Sequence, residues 1–433
     1  MGNDKRGNLD PTSARPTLFE ALQIWLKIGF LSFGGPAGQI ALMHREIVDH
    51  KKWLSEQQFL NALSFCMLLP GPEAMQLATY TGWRLNGTLG GLLAGLLFVV
   101  PGALMVLLLA LGYSLYGDIA IVDTLFVGIQ AAVIVIVIEA LVKVSKRALL
   151  HQSHLFIAAL AFVGIFFLAL PFPLIILVAG AYGFLFGSKG QSENTSFVEI
   201  SLSKTLATVL IWLAIWWLPL LLMGFYLDDH LLVQIGVFFS KLAVVTFGGA
   251  YAVLAYLGQD VVSDFGWLSA TEMLHGLGLA ETTPGPLILV NEFVGFLAGY
   301  REGGILMGVQ GALVVLWATF VPCFLWIFAG APYIEWIASQ SRLKAALQAI
   351  TAAVVGVILN LSIWLSLHVF FAQINTTKLG PLVVMNPSFE SANYVALGLS
   401  ALSAIALFRL RWGVLKVLLA SSIGALAIAS VGF

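Results

Sequence analysis

Charged residues are scarce in this chain. Asp, Glu, Lys and Arg together make up 10% of its 433 residues, whereas soluble domains carry about a quarter. Hydrophobic residues make up 60%, and uninterrupted apolar runs approach the roughly 20 residues that span about 30 Å of hydrocarbon. The composition therefore argues against a soluble catalytic or binding domain and predicts an all-α, polytopic membrane protein.

Several other features are missing. The two cysteines, Cys66 and Cys323, lie in apolar segments, so we expect small core residues rather than a disulfide or a metal site. The sequence has no Walker A loop, no His-Glu-x-x-His motif and no Cys pair at metal spacing. A net charge of −1 gives no case for nucleic acid. We therefore predict that the protein is not an enzyme and binds no cofactor and no metal. Residues 1–16 contain no apolar segment, so we also expect no cleaved signal peptide.

Two motifs recur at one fixed distance. Phe-Gly-Gly at 33–35 and Pro-Gly-Pro at 70–72 both reappear 214 residues later, at 247–249 and 284–286. Such internal similarity indicates a duplicated architecture. Paired helix breaks in two matching halves of a membrane protein are typical of a transporter site at the interface between the repeats.

Loop charges predict the orientation of the two halves. The loop after the second predicted span carries Lys143, Lys146 and Arg147, which the positive-inside rule assigns to the cytoplasm. Counting spans from this loop puts the N-terminus in the cytoplasm and starts the second repeat on the opposite face. Residues 44–54 are basic, whereas the aligned residues 258–268 are acidic. The two repeats are therefore predicted to have inverted topology with broken or re-entrant hairpins.

Hydropathy divides the chain into five parts. These are a polar cytoplasmic N-terminus (1–16), a first transporter repeat (17–187), an interdomain linker (188–204), a connecting transmembrane helix (205–228) and a second transporter repeat (229–433). In the first repeat, 17–50 and 55–85 are predicted to form helical hairpins bent at the two motifs. Both re-entrant and fully crossing hairpins fit the sequence. Spans are predicted at 87–115, 119–142, 152–170, 171–187 and 205–226.

The motifs break helices at membrane depth. Gly-Gly and Pro-Gly-Pro do not continue a regular helix, and the helices that restart after them offer unpaired N–H groups and a partial positive charge. These properties suit an oxyanion. The substrate-binding residues predicted at the breaks are Ser32, Gly34, Gly35, Pro70, Gly71, Pro72, Gln76, Thr246, Gly248, Gly249, Pro284, Gly285, Pro286 and Asn291.

Charged residues near the breaks complete the predicted site. Lys27 and Lys241, matched across the repeats, lie in apolar helix, where an unpaired charge costs about 3 kcal/mol or more. Together with Arg84 they are candidates for binding a dianion, although lysines that extend to the interface and an ordinary interfacial arginine also fit. Glu73 and Glu281 are candidates for proton coupling, and a capping carboxylate is the alternative for Glu73.

The motif residues resemble those of a known family. The run 30–36 (Phe-Leu-Ser-Phe-Gly-Gly-Pro), Trp-Leu-Ser at 53–55 and Leu-Pro-Gly-Pro at 69–72, repeated in part in the second half, are similar to the chromate ion transporter family in its long two-domain form. The resemblance covers essentially the whole chain past residue 16. Repeat two departs from repeat one at Ala250, which replaces Pro36, and at Leu287, which replaces Glu73.

The resemblance implies a function and a location. It implies a multi-pass protein of the bacterial inner membrane that exports chromate, confers chromate resistance and is subject to competition from sulfate. A sulfate or other oxyanion uptake transporter or channel is the alternative, because no residue encodes direction. Expected partners are chromate, sulfate and membrane lipid, and a homodimer is left open.

Overall fold

The computed structural model of this chain describes residues 16–117, 119–187, 202–226, 230–247, 250–334, 336, 340–380 and 382–430, which are almost entirely helical. The helices of the first half are α1 (Leu18–Leu31), α2 (Gly35–His44), α3 (Glu56–Cys66), α4 (Glu73–Tyr116), α5 (Ala120–Ala148), α6 (Gln152–Phe166) and α7 (Phe172–Phe186). The connecting helix α8 spans Leu202–Tyr226. All of the predicted N-terminal segment before Pro16 and most of the predicted linker lie outside the described residues.

The second half repeats this order of elements. Its helices are α9 (His230–Val245), α10 (Ala250–Gln259), α11 (Ala270–Thr282), α12 (Val290–Gly330), α13 (Ser341–Phe370), α14 (Tyr394–Ala404) and α15 (Val414–Ser430). Both α2 and α10 run into a π-helical turn, Arg45–His50 and Asp260–Asp264. One departure from an all-α fold is an antiparallel β-hairpin, Ile374–Leu379 with Leu382–Pro387, in the loop before α14.

Matching caps start α3 and α11. Ser55 accepts a hydrogen bond from the Gln58 amide, and the Gln58 side chain accepts one from the Ser55 amide. Ser269 and Glu272 form the same capping box 214 residues later. A capping box satisfies two backbone N–H groups that would otherwise lack a partner. The same local signal therefore starts the second hairpin of each half.

The motif helices are too short to cross a bilayer. The longest of the first three, α1, has 14 residues, or about 21 Å at 1.5 Å per residue, against about 30 Å of hydrocarbon. By length and composition, five helices of the described chain can span a membrane: α4, α5, α8, α12 with its flanking 3₁₀ turns, and α13. The chain is an all-α polytopic membrane protein, and these lengths favour re-entrant hairpins.

Helices α4 and α12 are each interrupted soon after the Pro-Gly-Pro motif. Non-helical backbone occurs at Asn86 and Gly87 in α4 and at Gly303 and Gly304 in α12. The interruption divides α4, which has 44 residues, into a short segment after the motif and a span from residue 88 onward. The predicted end of the second hairpin at 85 and the start of the next span at 87 agree with this division.

The two halves pack against each other through α4 and α12. A side chain at Gly95 of α4 would collide with the ring of Phe324 on α12, so the glycine permits a close approach of the helices. Cys66 and Cys323 are free, fully buried thiols, which confirms that they are core residues. The core is thus continuous between the repeats.

Candidate functional site

The helix breaks of the two halves meet and exchange hydrogen bonds. The amide of Gly71 in the first Pro-Gly-Pro motif donates to the carbonyl oxygen of Thr246 in the second half at 2.8 Å. The amide of Gly285 in the second Pro-Gly-Pro motif donates to the carbonyl oxygen of Ser32 in the first half at 3.0 Å. Both partners are related by the 214-residue spacing, so the two contacts are reciprocal. We call this meeting of breaks the crossing.

Backbone conformation at the crossing requires glycine. Gly71 has φ +116° and Gly285 has φ +89°, both in the left-handed region. The hydroxyls of Ser32 and Thr246 donate to carbonyl oxygens one turn earlier, those of Ile28 and Leu242, at 2.5 Å and 2.6 Å. Ser32 and Thr246 directly follow the last residues of α1 and α9, and their backbone carbonyl oxygens accept from the opposite half. The structure thus pairs the predicted residue Gly71 with Thr246 and Gly285 with Ser32.

The Gln39 side chain also forms hydrogen bonds at the crossing. Its Nε2 donates to the carbonyl oxygen of Gly285 at 2.6 Å and to that of Ser32 at 3.3 Å, and the side chain is 1% exposed. The residue at the equivalent position of the second half is Val253, which cannot make such bonds. Reasoning from sequence missed Gln39, because its partner lies 246 residues away in the chain.

Buried polar atoms follow both Pro-Gly-Pro motifs. Nε2 of Gln76 donates to the carbonyl oxygen of Pro70 at 2.6 Å, whereas its Oε1 has no hydrogen-bond partner among the described residues. Both side-chain polar atoms of Asn291 and Oε2 of Glu292 are likewise buried without a partner in the described chain. Buried polar groups are normally hydrogen-bonded, so Gln76 and Asn291 have polar capacity to offer a ligand.

A cavity of about 400 Å³ reaches the first break. We call it the mixed-charge cavity, because acidic and basic side chains line it together with the Gly34-Gly35 turn. Its charged and polar members are His44, Glu73, Glu139, Lys143, Arg147, Tyr251 and Glu281. Both predicted proton-coupling residues, Glu73 and Glu281, are therefore in one cavity although they come from different halves. Gly34 and Gly35 have φ of +87° and +70°.

Two contacts order the carboxylates of this cavity. Tyr251 donates its hydroxyl to Glu281 Oε1 at 2.9 Å, and Glu281 is buried. Lys143 Nζ lies 2.8 Å from Glu139 Oε1, four residues earlier on α5. Tyr251 has Ala37 as its equivalent in the first half, so the repeat gave no signal for it.

A second cavity, of about 690 Å³, adjoins the first. We call it the basic cavity, because Arg84, Arg147, His154 and Lys344 line it. Arg84, predicted as a ligand, is found here rather than at the crossing. Arg147 lines both cavities. In the sequence Arg147 served only as a marker of the cytoplasmic loop, so its place beside Glu73 was missed.

The matched lysines lie away from these cavities. Lys27 Nζ forms an ion pair with Glu46 Oε1 at 2.9 Å, and the lysine side chain is 47% exposed while the carboxylate is 4% exposed. Lys241 is also exposed, and neither lysine lines the mixed-charge or the basic cavity. Their assignment to the anion site stays a prediction. Gly248 and Gly249 lie outside the described residues.

The fold and the crossing define a membrane protein of the transporter class, built from two similar halves. The family described as "Chromate transporter" matches residues 19–184 and 233–428. The chain therefore belongs to the chromate transporter family, and the two matched segments coincide with the two halves. No solved structure matches the chain.

Curated relatives agree with this family. The chain is 32% identical over 352 residues to a probable chromate transport protein of Synechococcus elongatus, covering 79% of this chain and 83% of that protein. It is 33% identical over 359 residues to a chromate transport protein of Pseudomonas aeruginosa, covering 80% of each. An uncharacterized transporter of Bacillus subtilis, YwrB, is 29% identical over 173 residues, or 39% of this chain and 88% of that protein. A separate protein of about half the length thus matches part of this chain.

Proposed function

We propose that this chain is a secondary transporter that exports chromate across the bacterial inner membrane and thereby confers chromate resistance. The observation that carries the proposal is the crossing, where non-helical backbone of one half forms hydrogen bonds with non-helical backbone of the other half. These segments connect apolar helices. Membership of the chromate transporter family supplies the substrate. Non-helical backbone at membrane depth is tolerated only where protein buries it or where it lines a polar path.

The helix starts at the crossing suit a doubly charged oxyanion. Helix α4 begins directly after Pro72, and the 3₁₀ turn that leads into α12 begins after Pro286. No side chain caps either start in the described structure. Uncapped N–H groups and the positive end of the helix dipole favour anions, and the side-chain amide nitrogen of Asn291, which has no partner among the described residues, adds a donor nearby.

The reciprocal hydrogen bonds support an inverted arrangement of the halves. Two elements that exchange equivalent contacts are expected to be related by a two-fold axis. An axis in the membrane plane accounts for this relation and for the contrast between basic residues 44–54 and acidic residues 258–268. In this proposal the N-terminus is cytoplasmic.

Membrane voltage favours the outward direction. Moving one elementary charge through 100 mV changes the free energy by about 2.3 kcal/mol. The free energy of a dianion therefore falls by about 4.6 kcal/mol when it leaves a cytoplasm that is 100 mV more negative than the outside. Glu73 and Glu281 in the mixed-charge cavity are the proposed proton-coupling groups. A proton on either carboxylate reduces its repulsion of an approaching dianion.

The experiment is radiolabelled chromate flux into everted membrane vesicles, whose outer surface is the cytoplasmic face. With a lumen-positive potential we expect saturable uptake that sulfate reduces by competition. Gly71→Ala, at the crossing, should abolish the flux while Gly112→Ala, at a helical glycine with open space around it, should not. Flux confined to right-side-out vesicles would contradict export and favour the oxyanion-uptake alternative.

A further inference from the structure

Charge is segregated in the basic cavity. Arg84, Arg147, His154 and Lys344 contribute to its lining, and none of the lining residues is Asp or Glu. The whole chain has 21 basic and 22 acidic residues, so this separation is not a consequence of composition. Amide and hydroxyl side chains complete the polar lining: Gln58, Asn61, Ser64, Gln348 and Thr351. The cavity thus combines positive charge with hydrogen-bond donors.

Arg84 has donor capacity left for a ligand, and His154 is held in place beside it in the cavity lining. Arg84 is half-buried on α4, and its Nη1 donates to the Tyr80 hydroxyl at 3.3 Å. Its Nε is buried and has no hydrogen-bond partner among the described residues. His154 Nδ1 donates to the carbonyl oxygen of Ala148 at 2.9 Å, which fixes the ring. A planar guanidinium binds two oxygens of a tetrahedral oxyanion at once, whereas a lysine acts as a mobile point charge.

The basic cavity is adjacent to the crossing. Phe247 lines it, and Phe247 directly follows Thr246, whose carbonyl oxygen accepts from Gly71. Met67 and Arg147 line both the basic and the mixed-charge cavity. An anion held between Arg84 and Lys344 therefore lies next to the broken backbone of the second half.

We propose that the basic cavity is a second oxyanion site, separate from the crossing, which collects a tetrahedral dianion such as chromate or sulfate before the anion reaches the crossing. Its location rests on the proposed function, in which the face that carries Arg147 and Lys344 is cytoplasmic. A cleft lined by one sign of charge concentrates ions of the opposite sign. The phosphate of an anionic lipid has related chemistry and is the competing occupant.

The test is equilibrium binding of radiolabelled chromate and sulfate to the purified full chain in nanodiscs of zwitterionic lipid. Arg84→Gln and Lys344→Gln should each weaken binding about tenfold, the effect of one unit charge about 6 Å from a dianion in water. Both variants should also show a smaller decrease of affinity with added salt, because less charge remains to be screened. Lys344 is exposed, so its variant is expected to fold normally.

Two neighbouring cations provide matched controls. Arg342 lies two residues before Lys344 but stacks over the Phe184 ring at 5.9 Å, and Lys146 precedes Arg147; neither lines the basic cavity. Arg342→Gln and Lys146→Gln should bind chromate with the affinity and salt dependence of the wild-type protein. Equal losses in the control and cavity variants would reduce the effect to overall charge and overturn the proposal.

Flux measurements separate this proposal from the proposed function. In everted vesicles Lys344→Gln should raise KM about tenfold and leave the maximal rate unchanged, whereas Gly71→Ala should abolish flux and leave binding at the basic cavity intact. Unchanged binding and KM in both cavity variants would refute the second site while export stands. Binding without any transport would refute the proposed function alone. If nanodiscs of anionic phosphatidylglycerol abolish chromate binding and the cavity variants lose bound lipid instead, the cavity is a lipid site and the proposal is wrong.

Discussion

Replacing Lys27 distinguishes a structural ion pair from a substrate ligand. Lys27→Met removes the ion-pair partner of the Glu46 carboxylate, which is 4% exposed, and among the described residues His50 Nδ1 then remains as its basic neighbour at 3.6 Å. Breaking a fully buried ion pair costs about 3–5 kcal/mol, and a hydrogen bond between charged groups contributes about 1.5–3 kcal/mol. Because about half of the Lys27 side chain is exposed and exposed pairs contribute less, we expect a loss of about 2 kcal/mol in stability.

A double-mutant cycle separates the two roles. Glu46→Gln removes the charge that Lys27 neutralises, so the double variant Lys27→Met/Glu46→Gln no longer buries an unpaired carboxylate. If the ion pair is the whole role of Lys27, the double variant regains most of the stability, with a coupling energy of about 2 kcal/mol, and also regains chromate flux. Thermal melting in detergent and flux into everted vesicles measure the two quantities.

The same cycle has an outcome that would show Lys27 to be a substrate ligand rather than a structural partner of Glu46. If Lys27 contacts the transported anion, the double variant recovers stability but its flux stays as low as that of Lys27→Met. Lys146→Met is the control, since Lys146 is exposed and lines neither cavity. A matching loss of flux in that control would show that any lost surface lysine affects transport.

The crossing, the mixed-charge cavity and the proposed inversion of the halves each give one further prediction. Gly71→Ala should cost about 1–2 kcal/mol in thermal stability, because its φ is +116° and a Cβ there would lie 2.9 Å from the side-chain Nε2 of Gln76. A melting temperature equal to that of wild type would contradict the crossing geometry. Glu73→Gln should remove the pH dependence of chromate flux, and an unchanged pH profile would exclude Glu73 as the coupling group. Single cysteines at Ser55 and Ser269 in a cysteine-free background should react with a membrane-impermeant reagent from opposite faces, and reaction from one face would refute inverted halves.

The repeated helix breaks are the feature of the fold that could be predicted from the sequence. Pro-Gly-Pro and Phe-Gly-Gly act locally, since glycine and proline change the backbone wherever they occur. The reciprocal bonds of Gly71 and Gly285 then follow from placing two similar halves face to face. A family resemblance carried by the same motifs correctly indicated the chromate transporter family.

Residues outside the repeat pattern were not predictable. The residue equivalent to Gln39 is Val253, and the residue equivalent to Tyr251 is Ala37. Similarity between the halves therefore did not identify Gln39 or Tyr251 as candidates. Their partners come from the other hairpin or the other half, and such contacts depend on tertiary packing. The differences between these equivalent positions show where the two halves are not symmetric.

Charged residues show the same limit. An isolated lysine in apolar sequence predicts a buried functional charge. Lys27 instead forms an ion pair with Glu46, 19 residues later in the chain, because the hairpin brings the π-helical turn next to α1. The sequence indicated only that Arg147 belongs to a basic loop. In the structure Arg147 lies in the last turn of α5 and lines both cavities. Sequence spacing shows where charged residues occur along the chain. Which of them line the same cavity depends on which helix ends are neighbours in the folded protein.

The most direct test of proposed chromate export is chromate flux in proteoliposomes that contain only the purified chain. We expect saturable efflux of loaded chromate above that of protein-free liposomes, driven by an inside-negative potential. The efflux should be reduced at least tenfold in Gly71→Ala and Gly285→Ala, whereas Gly112→Ala should behave like wild type. Folded wild-type protein that carries no chromate, or crossing variants that transport as fast as wild type, would contradict the proposal.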